Sequence, residues 1–290
     1  MIPRPVSTRS LLALVLLGAT SVACATDLLH LEPPTAIDAA FVRLYNFDFA
    51  GAESILEKHE RLCPSDPLIY SVRAASLLFA EMYRLQILQT EFFVDDENIG
   101  DDRKLKADPA LREALFKALR QSREYAVAKL GTNPDDRDAL LAMCMSQGVE
   151  TDYVAFVERR RWRGLKMAGQ ANVYAQKLLA MRPPMYDAYH TVGMIEYVMG
   201  SVPFFVRWFV RFDQIRGSKQ IGIQNLKLVA QYGRYYRPFA KVLLSVIYLR
   251  EKQPKLAEEL LAELAHDFPD NLLVKKELAK VRRMASRKTS

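Results

Sequence analysis

Apolar residues recur along this chain at helical spacing, in stretches separated by short turns rich in Pro, Asp and Gly. One pair of such stretches follows Pro33, and a closely similar pair follows Pro238. Turn signals also precede the stretches between them, at residues 63–66, 132–135 and 182–184. The pattern predicts an all-α protein built from pairs of helices.

The starts of these pairs follow a register. Pro33 and Pro67 lie 34 residues apart. We take as first residues Pro33, Pro67, Arg137, Tyr186 and Pro238. The eighth residue of every unit is then small: Ala40, Ala74, Cys144, Gly193 and Ser245. Small side chains at one fixed position allow two helices to cross closely.

A 34-residue period with a small residue at the eighth position resembles the tetratricopeptide repeat family. The resemblance covers most of the chain after its first segment. It implies a right-handed superhelical α-solenoid of helical hairpins that binds partner proteins. It does not identify the partner, because this scaffold carries many functions.

The central units are longer than 34 residues, since the later starts are 70, 49 and 52 residues apart. We therefore expect elongated central hairpins. The first runs from Leu68 to Leu130 with an acidic tip, and the next from Asp135 to Met181, turning near Gly164. The stretch Asn271–Met284 is expected to form a single helix that caps the end of the stack.

The first 25 residues have the order of a signal peptide. Arg4 and Arg9 precede an apolar run, and Ala23-Cys24-Ala25 offers a cleavage site. We favour cleavage before Thr26, which leaves residues 26–290 as one solenoid domain. The alternative is a lipid anchor at Cys24, because the residues before it resemble a bacterial lipobox. Both interpretations place the protein in the periplasm or cell envelope.

Charge and cysteine content limit the partners. The formal net charge is +7 and falls to +5 without residues 1–25. An exported chain rarely meets nucleic acid, so the expected partners are a protein or peptide, with anionic lipid or acidic polymer as the electrostatic alternative.

Cys63 and Cys144 lie in different predicted hairpins, and we favour two buried free thiols over a disulfide.

No motif for phosphate binding, nucleophilic catalysis or zinc is present, so we expect no enzyme, cofactor or metal. The acidic run 95–102 fails as a calcium loop, because Ile99 and Lys106 occupy two ligand positions. His190 lies among Tyr186, Tyr189 and Tyr197. It could be a ligand or a base, but a hydrogen-bonded interior or groove histidine is the favoured interpretation.

Three clusters are candidate partner-binding surfaces. The first is the aromatic groove at Tyr189, His190 and Tyr197. The second is the basic run containing Arg159, Arg160 and Trp162, which could contact headgroups or neutralise the acidic tip of the hairpin before it. The third spans residues 202–212 and contains Phe205, Trp208 and Phe209; it could dock on a partner or membrane, or fill the core.

The sequence therefore predicts a non-enzymatic exported scaffold that binds a protein or peptide partner in the cell envelope. One alternative is a periplasmic transport-associated adaptor that holds a small apolar or amphipathic ligand. Another is a peripheral membrane protein or lipoprotein assembly factor.

Overall fold

The structure, a computed structural model, describes residues 34–89, 106–202 and 217–287. All of them belong to one compact unit, Pro34–Ser290. In this part the chain forms eleven α-helices and no strand: α1 (Ala36–Tyr45), α2 (Phe49–Leu62), α3 (Pro67–Arg84), α4 (Pro109–Thr132), α5 (Arg137–Asp152), α6 (Arg161–Ala180), α7 (Tyr189–Ser201), α8 (Lys219–Tyr232), α9 (Arg237–Arg250), α10 (Pro254–Asp267) and α11 (Leu272–Arg287). A π-helical turn, Tyr153–Val157, extends α5, and a 3₁₀ turn, Tyr186–Ala188, precedes α7.

Consecutive helices pack against each other in five pairs: α1 with α2, α3 with α4, α5 with α6, α7 with α8, and α9 with α10. We number these pairs 1 to 5. The last helix, α11, packs on α10, and each pair also contacts the next along the chain. The prediction of an all-helical chain folded as successive pairs, as in an α-solenoid, is confirmed.

Aspartate and proline set the helix starts. The side chain of Asp66 accepts a hydrogen bond from the backbone N–H of Leu68, and Pro67 occupies the first turn of α3. Asp108 and Pro109 begin α4 in the same way, and Asp136 caps α5. Proline fits the first turn because its missing N–H would have no partner there. The predicted starts at Pro67 and Arg137 coincide with helix starts.

The turn of pair 3 lies elsewhere than the sequence suggested. The chain turns at residues 158–160, where Arg159 has a φ of 59°, and Gly164 lies inside α6. A Cβ added to Gly164 would lie 2.7 Å from the Cβ of Ala155. This glycine therefore permits close packing between the two arms of the pair, and the prediction of a turn there was wrong.

All five small residues at the eighth position are buried. Pairs 2 and 3 also contain the longest helices. α4 has 24 residues and α6 has 20, against 14 in both α2 and α10. At a rise of 1.5 Å per residue, α4 is about 36 Å long and α2 about 21 Å.

Pair 1 also contacts pair 5 and the start of α11. The hydroxyl of Tyr45 donates to the carbonyl oxygen of Tyr235 (2.8 Å), and Asn271 Nδ2 donates to the carbonyl oxygen of Tyr45 (2.7 Å). The guanidinium of Arg234 binds both carboxylate oxygens of Asp38, at 3.0 and 2.8 Å. These contacts join residues 190 to 226 positions apart in sequence and bring the first and last pairs together.

Candidate functional site

Four aromatic side chains meet inside the stack. Three of them lie on α3, α7 and α9, each the first helix of its pair, and the fourth directly precedes α9. We call Phe79, His190, Tyr236 and Phe239 the inner aromatic layer. The ring of His190 lies 4.9 Å from that of Tyr236 and 5.2 Å from that of Phe239, and Phe239 lies 5.4 Å from Phe79. All four are half-buried, so the layer keeps partial access to solvent.

A buried carboxylate positions Tyr236. Asp187 accepts hydrogen bonds from the backbone N–H groups of Arg234, Tyr235 and Tyr236, at 2.9, 2.8 and 2.7 Å. These residues lead into α9, which has no side-chain cap of its own. Asp187 therefore caps a helix of the next pair and fixes the approach of Tyr236 to His190. In the sequence, the only signal for this role is an acidic residue in an aromatic stretch.

His190 has an unusual environment. Its Nε2 atom is buried and has no hydrogen-bond partner among the described residues. Burial lowers the pKa of His190 to about 4, so the ring is neutral at pH 7. An unpaired buried nitrogen is uncommon in proteins and suggests a partner group outside the described residues. His190 is half-buried, so the expectation of an interior or groove histidine holds, but among the described residues the expected hydrogen bond is not found at Nε2.

Two further titratable groups lie near the layer, on α5. Burial raises the pKa of Asp152 to about 7, and the charge of Asp152 contributes to the raised pKa of Tyr236. Burial also raises the pKa of the Cys144 thiol to about 11, and its sulfur lies 3.4 Å from Thr191 Oγ1. A thiol that stays protonated at pH 7 is a poor nucleophile.

The two cysteines of the described part are free thiols, as expected. Only Cys144 is buried, however, whereas Cys63 is exposed at the end of α2. The prediction that both would be buried was wrong for Cys63. It follows the last turn of its helix, where no neighbouring pair covers it.

The three residues of the predicted aromatic groove lie in different environments. Only His190 is part of the inner aromatic layer. Tyr189 packs near Tyr186, with ring centroids 6.2 Å apart. Tyr197 is buried, and its hydroxyl donates to Glu251 (3.2 Å) at the end of α9. Of the three residues predicted to form the groove, only His190 therefore belongs to the layer. Tyr189 and Tyr197 pack against other parts of the chain.

The basic run lies at the turn of pair 3. Trp162 is 58% exposed and Arg160 is also exposed. Glu158 at the same turn accepts from Arg112 of α4 at 3.3 Å and lies 3.9 Å from Arg160. The turn of pair 3 is thus joined to the start of α4 in pair 2. The acidic run 95–102, which the basic run was expected to neutralise, lies outside the described residues.

Two other predictions also fall outside the described residues: the signal peptide with Cys24, and the aromatic segment with Phe205, Trp208 and Phe209. In the part that is described, no three His, Cys, Asp or Glu side chains are grouped as metal ligands would be. None of its helices has the length and hydropathy needed to span a membrane.

A cleft of about 390 Å³ lies between the end of α3 and the start of α11. Tyr83, Leu88 and Leu272 contribute apolar surface to it, and Arg84 and Lys276 contribute positive charge. Leu272 is 71% exposed. The cleft is a second surface that could receive an apolar side chain.

Comparison of the chain with protein-family models, with curated proteins and with solved structures finds no match. Its function is therefore inferred from its own residues.

Proposed function

We propose that this chain is a non-enzymatic, exported scaffold of tetratricopeptide type that binds a segment of a partner protein in the cell envelope. Helices packed in successive pairs support the scaffold, as does the buried small residue at the eighth position of every unit. The signal-peptide pattern of residues 1–25 supports export.

The observation that carries the binding role is the unpaired Nε2 of His190 in a half-buried aromatic layer. A buried nitrogen without a partner costs about 1–3 kcal/mol. A bound segment that forms this hydrogen bond would recover that free energy, and its apolar side chains would pack on Phe79 and Phe239. Neutral histidine offers either a donor or an acceptor there, depending on its tautomer.

The same residues argue against catalysis at this position. Among the described residues, no carboxylate orients the ring of His190, although an orienting group is a usual feature of a histidine base. The Cys144 thiol bonds to Thr191 instead of to a base, and burial raises its pKa to about 11. The layer thus offers recognition by packing and one hydrogen bond.

A second candidate function is the adaptor that holds a small apolar or amphipathic ligand. The contacts between pair 1 and pair 5, including that of Arg234 with Asp38, favour this candidate. They limit the length of a peptide segment that could enter beside Tyr236, whereas a small ligand would still fit. Asp152 would provide a second polar group, because burial raises its pKa to about 7.

Affinity capture from envelope extracts tests the proposal with three forms of the mature chain. His190→Phe keeps an aromatic ring, slightly larger than imidazole, and removes the unpaired nitrogen, so it should fold with a stability close to that of the parent and lose the captured protein. Leu272→Glu changes the exposed cleft at α11 and should retain it. Capture that survives His190→Phe but is lost in Leu272→Glu would contradict the inner aromatic layer as the binding surface. A small molecule detected by native mass spectrometry in the parent and absent from His190→Phe would favour the adaptor.

A further inference from the structure

The turn of pair 3 exposes a group of positive charges around one tryptophan. We call Arg160, Arg161, Trp162, Arg163 and Lys166 the basic tip. All five side chains are exposed, and they lie in the turn and the first two turns of α6. An exposed tryptophan surrounded by cations is unusual for a surface that faces only water.

Among the described residues, the charges of the basic tip are poorly compensated. The first turn of α6 contains no acidic residue, and its N-cap, Arg160, forms no side-chain cap. Glu158 is the acid with which the tip forms an ion pair in the described part, and it already binds Arg112. Positive side chains at a helix N-terminus are unfavourable, because this end of the helix dipole is positive. The sequence thus places cations where folding does not benefit from them.

Within the described ranges, α7 packs beside the basic tip. Ile195 and Met199 of α7 pack against Leu165 and Ala168 of α6, so the C-terminal end of α7 lies beside the start of α6. A Cβ added to Gly200 would lie 2.4 Å from the backbone nitrogen of Lys219, which begins α8. The ends of pairs 3 and 4 therefore lie side by side. None of the four packing residues carries a negative charge that could offset the tip.

We propose that the basic tip binds a membrane surface rich in anionic phospholipid, with Trp162 at the level of the headgroups. Phosphate groups would pair with the guanidinium groups of Arg160, Arg161 and Arg163. Tryptophan is favoured at the boundary between headgroups and acyl chains because its ring is apolar and its N–H is polar. Lipid is preferred over an acidic protein because Trp162 is 58% exposed among cations, as expected of a side chain at the level of the headgroups. This inference does not depend on the inner aromatic layer.

Vesicle flotation of the mature chain tests the proposal. The probes are vesicles of phosphatidylcholine alone and vesicles with about one third phosphatidylglycerol. We expect binding to the anionic vesicles only, weakened at high salt, because surface charges are screened within about 10 Å at 0.1 M ionic strength. Each lost cation should lower the affinity about fivefold. Arg161→Glu with Arg163→Glu should therefore reduce binding at least 25-fold, as an order-of-magnitude estimate from the same value.

The control is Lys275→Glu with Arg283→Glu, an identical charge change at exposed positions of α11. It should retain most of the binding. The tip variant should also fold, because glutamate in the first turn of α6 suits the helix dipole and should raise the melting temperature. An equal loss in both double variants would show that only net charge matters and would overturn the proposal.

Fluorescence gives an independent measurement. Trp162 and Trp208 are the two tryptophans of the chain. In a Trp208→Phe variant, Trp162 is the remaining reporter, and its emission should shift to shorter wavelength on anionic vesicles. An unshifted spectrum with bound protein would exclude Trp162 from the interface. No preference for anionic over neutral vesicles would overturn the proposal and leave an acidic protein surface as the alternative.

Discussion

Gly193 of α7 and Gly222 of α8 lie against each other where the two helices of pair 4 cross. A Cβ added to Gly222 would lie 2.7 Å from the carbonyl oxygen of Gly193 and 2.6 Å from the backbone nitrogen of Tyr197. A Cβ added to Gly193 would lie 3.1 Å from the carbonyl oxygen of Gly222. The crossing therefore depends on two glycines, of which the one in α8 has less room.

This difference predicts a graded effect of substitution. Gly222→Ala must move backbone atoms and should destabilise the fold by about 1–3 kcal/mol. Gly193→Ala should be close to neutral, because the better helix propensity of alanine offsets a small shift of its neighbours. Gly193→Leu should cost about as much as Gly222→Ala. Urea unfolding followed by circular dichroism measures these differences.

Gly148→Ala is the matched control, since no atom lies within 4 Å of the added Cβ in α5. It should stabilise the protein by about 0.5–1 kcal/mol. If Gly222→Ala unfolds at the same urea concentration as the parent, the crossing geometry of pair 4 is wrong.

Gly193 also shows how much of the fold the sequence predicts. The register of small residues that selects Gly193, and the turn signals, are patterns among residues close together in the sequence. These patterns correctly located the helix pairs and the starts of α3 and α5. The turn of pair 3 was missed because a left-handed Arg159, not a glycine, reverses the chain. A glycine at 164 has two uses, a turn or a close approach, and sequence does not separate them.

The candidate site was less predictable, because it depends on contacts between distant parts of the chain. His190 was identified from its aromatic neighbours, but its ring partners Tyr236 and Phe239 come from the next pair. The contacts of Tyr45 with Tyr235 and of Asp38 with Arg234 span about 190 residues and have no periodic signal. Period and register give the order of the pairs, but not the closure between the first and the last.

Asp187 should be essential for stability. Asp187→Ala leaves three backbone N–H groups at the start of α9 without an acceptor, in a buried setting. We expect a loss of about 3–5 kcal/mol, more than an ordinary cap contributes. The comparison is Asp136→Ala, which removes the cap of α5 and should cost about 1 kcal/mol. Equal losses in urea unfolding would show that Asp187 is only a local cap.

The ion pair of Asp38 with Arg234 should contribute about 1 kcal/mol to the contact between pairs 1 and 5. Asp38 also caps α1, so a double-mutant cycle with Asp38→Ala and Arg234→Ala is needed to isolate the pair. Burial raises the pKa of Asp38, but the hydrogen bond from Arg234 and other bonds outweigh it, and the pKa lies below 3.8. The coupling should therefore be complete above pH 4 and disappear as the pH falls through the lowered pKa. A coupling energy that is the same at pH 7 and pH 2.5 would contradict this.

The mature protein should begin at Thr26. Arg4, Arg9 and the apolar run before Ala25 are the basis of this prediction. The intact mass of the exported protein measures it directly. A mass that begins at Cys24 with added acyl chains would instead establish a lipoprotein, which would hold the basic tip near a membrane by a second attachment.

Asp152 should make stability depend on pH in a defined direction. Burial raises the pKa of Asp152 from 3.8 to about 7. Between these values the native state holds a proton that the unfolded state releases, so this group lowers stability as the pH rises from about 4 to about 7. Above pH 7 its effect is constant. Asp152→Asn removes the ionisable group and should stabilise the protein at pH 8 by about 2 kcal/mol, less than for a fully enclosed carboxylate, because the side chain is partly exposed.

The measurement is the difference in unfolding free energy between Asp152→Asn and the parent at pH 5, 6, 7 and 8. The difference is required because His190 acts in the opposite direction over part of this range. Burial lowers the pKa of His190 to about 4, so protonation of the unfolded state reduces stability as the pH falls below about 6.5. That contribution is common to both proteins and cancels. The difference should grow from near zero at pH 4 to its full value at pH 8. A constant difference would mean that Asp152 is ionised in the native state throughout, and that the interior beside Tyr236 is more hydrated than the packing of α5 and α9 implies.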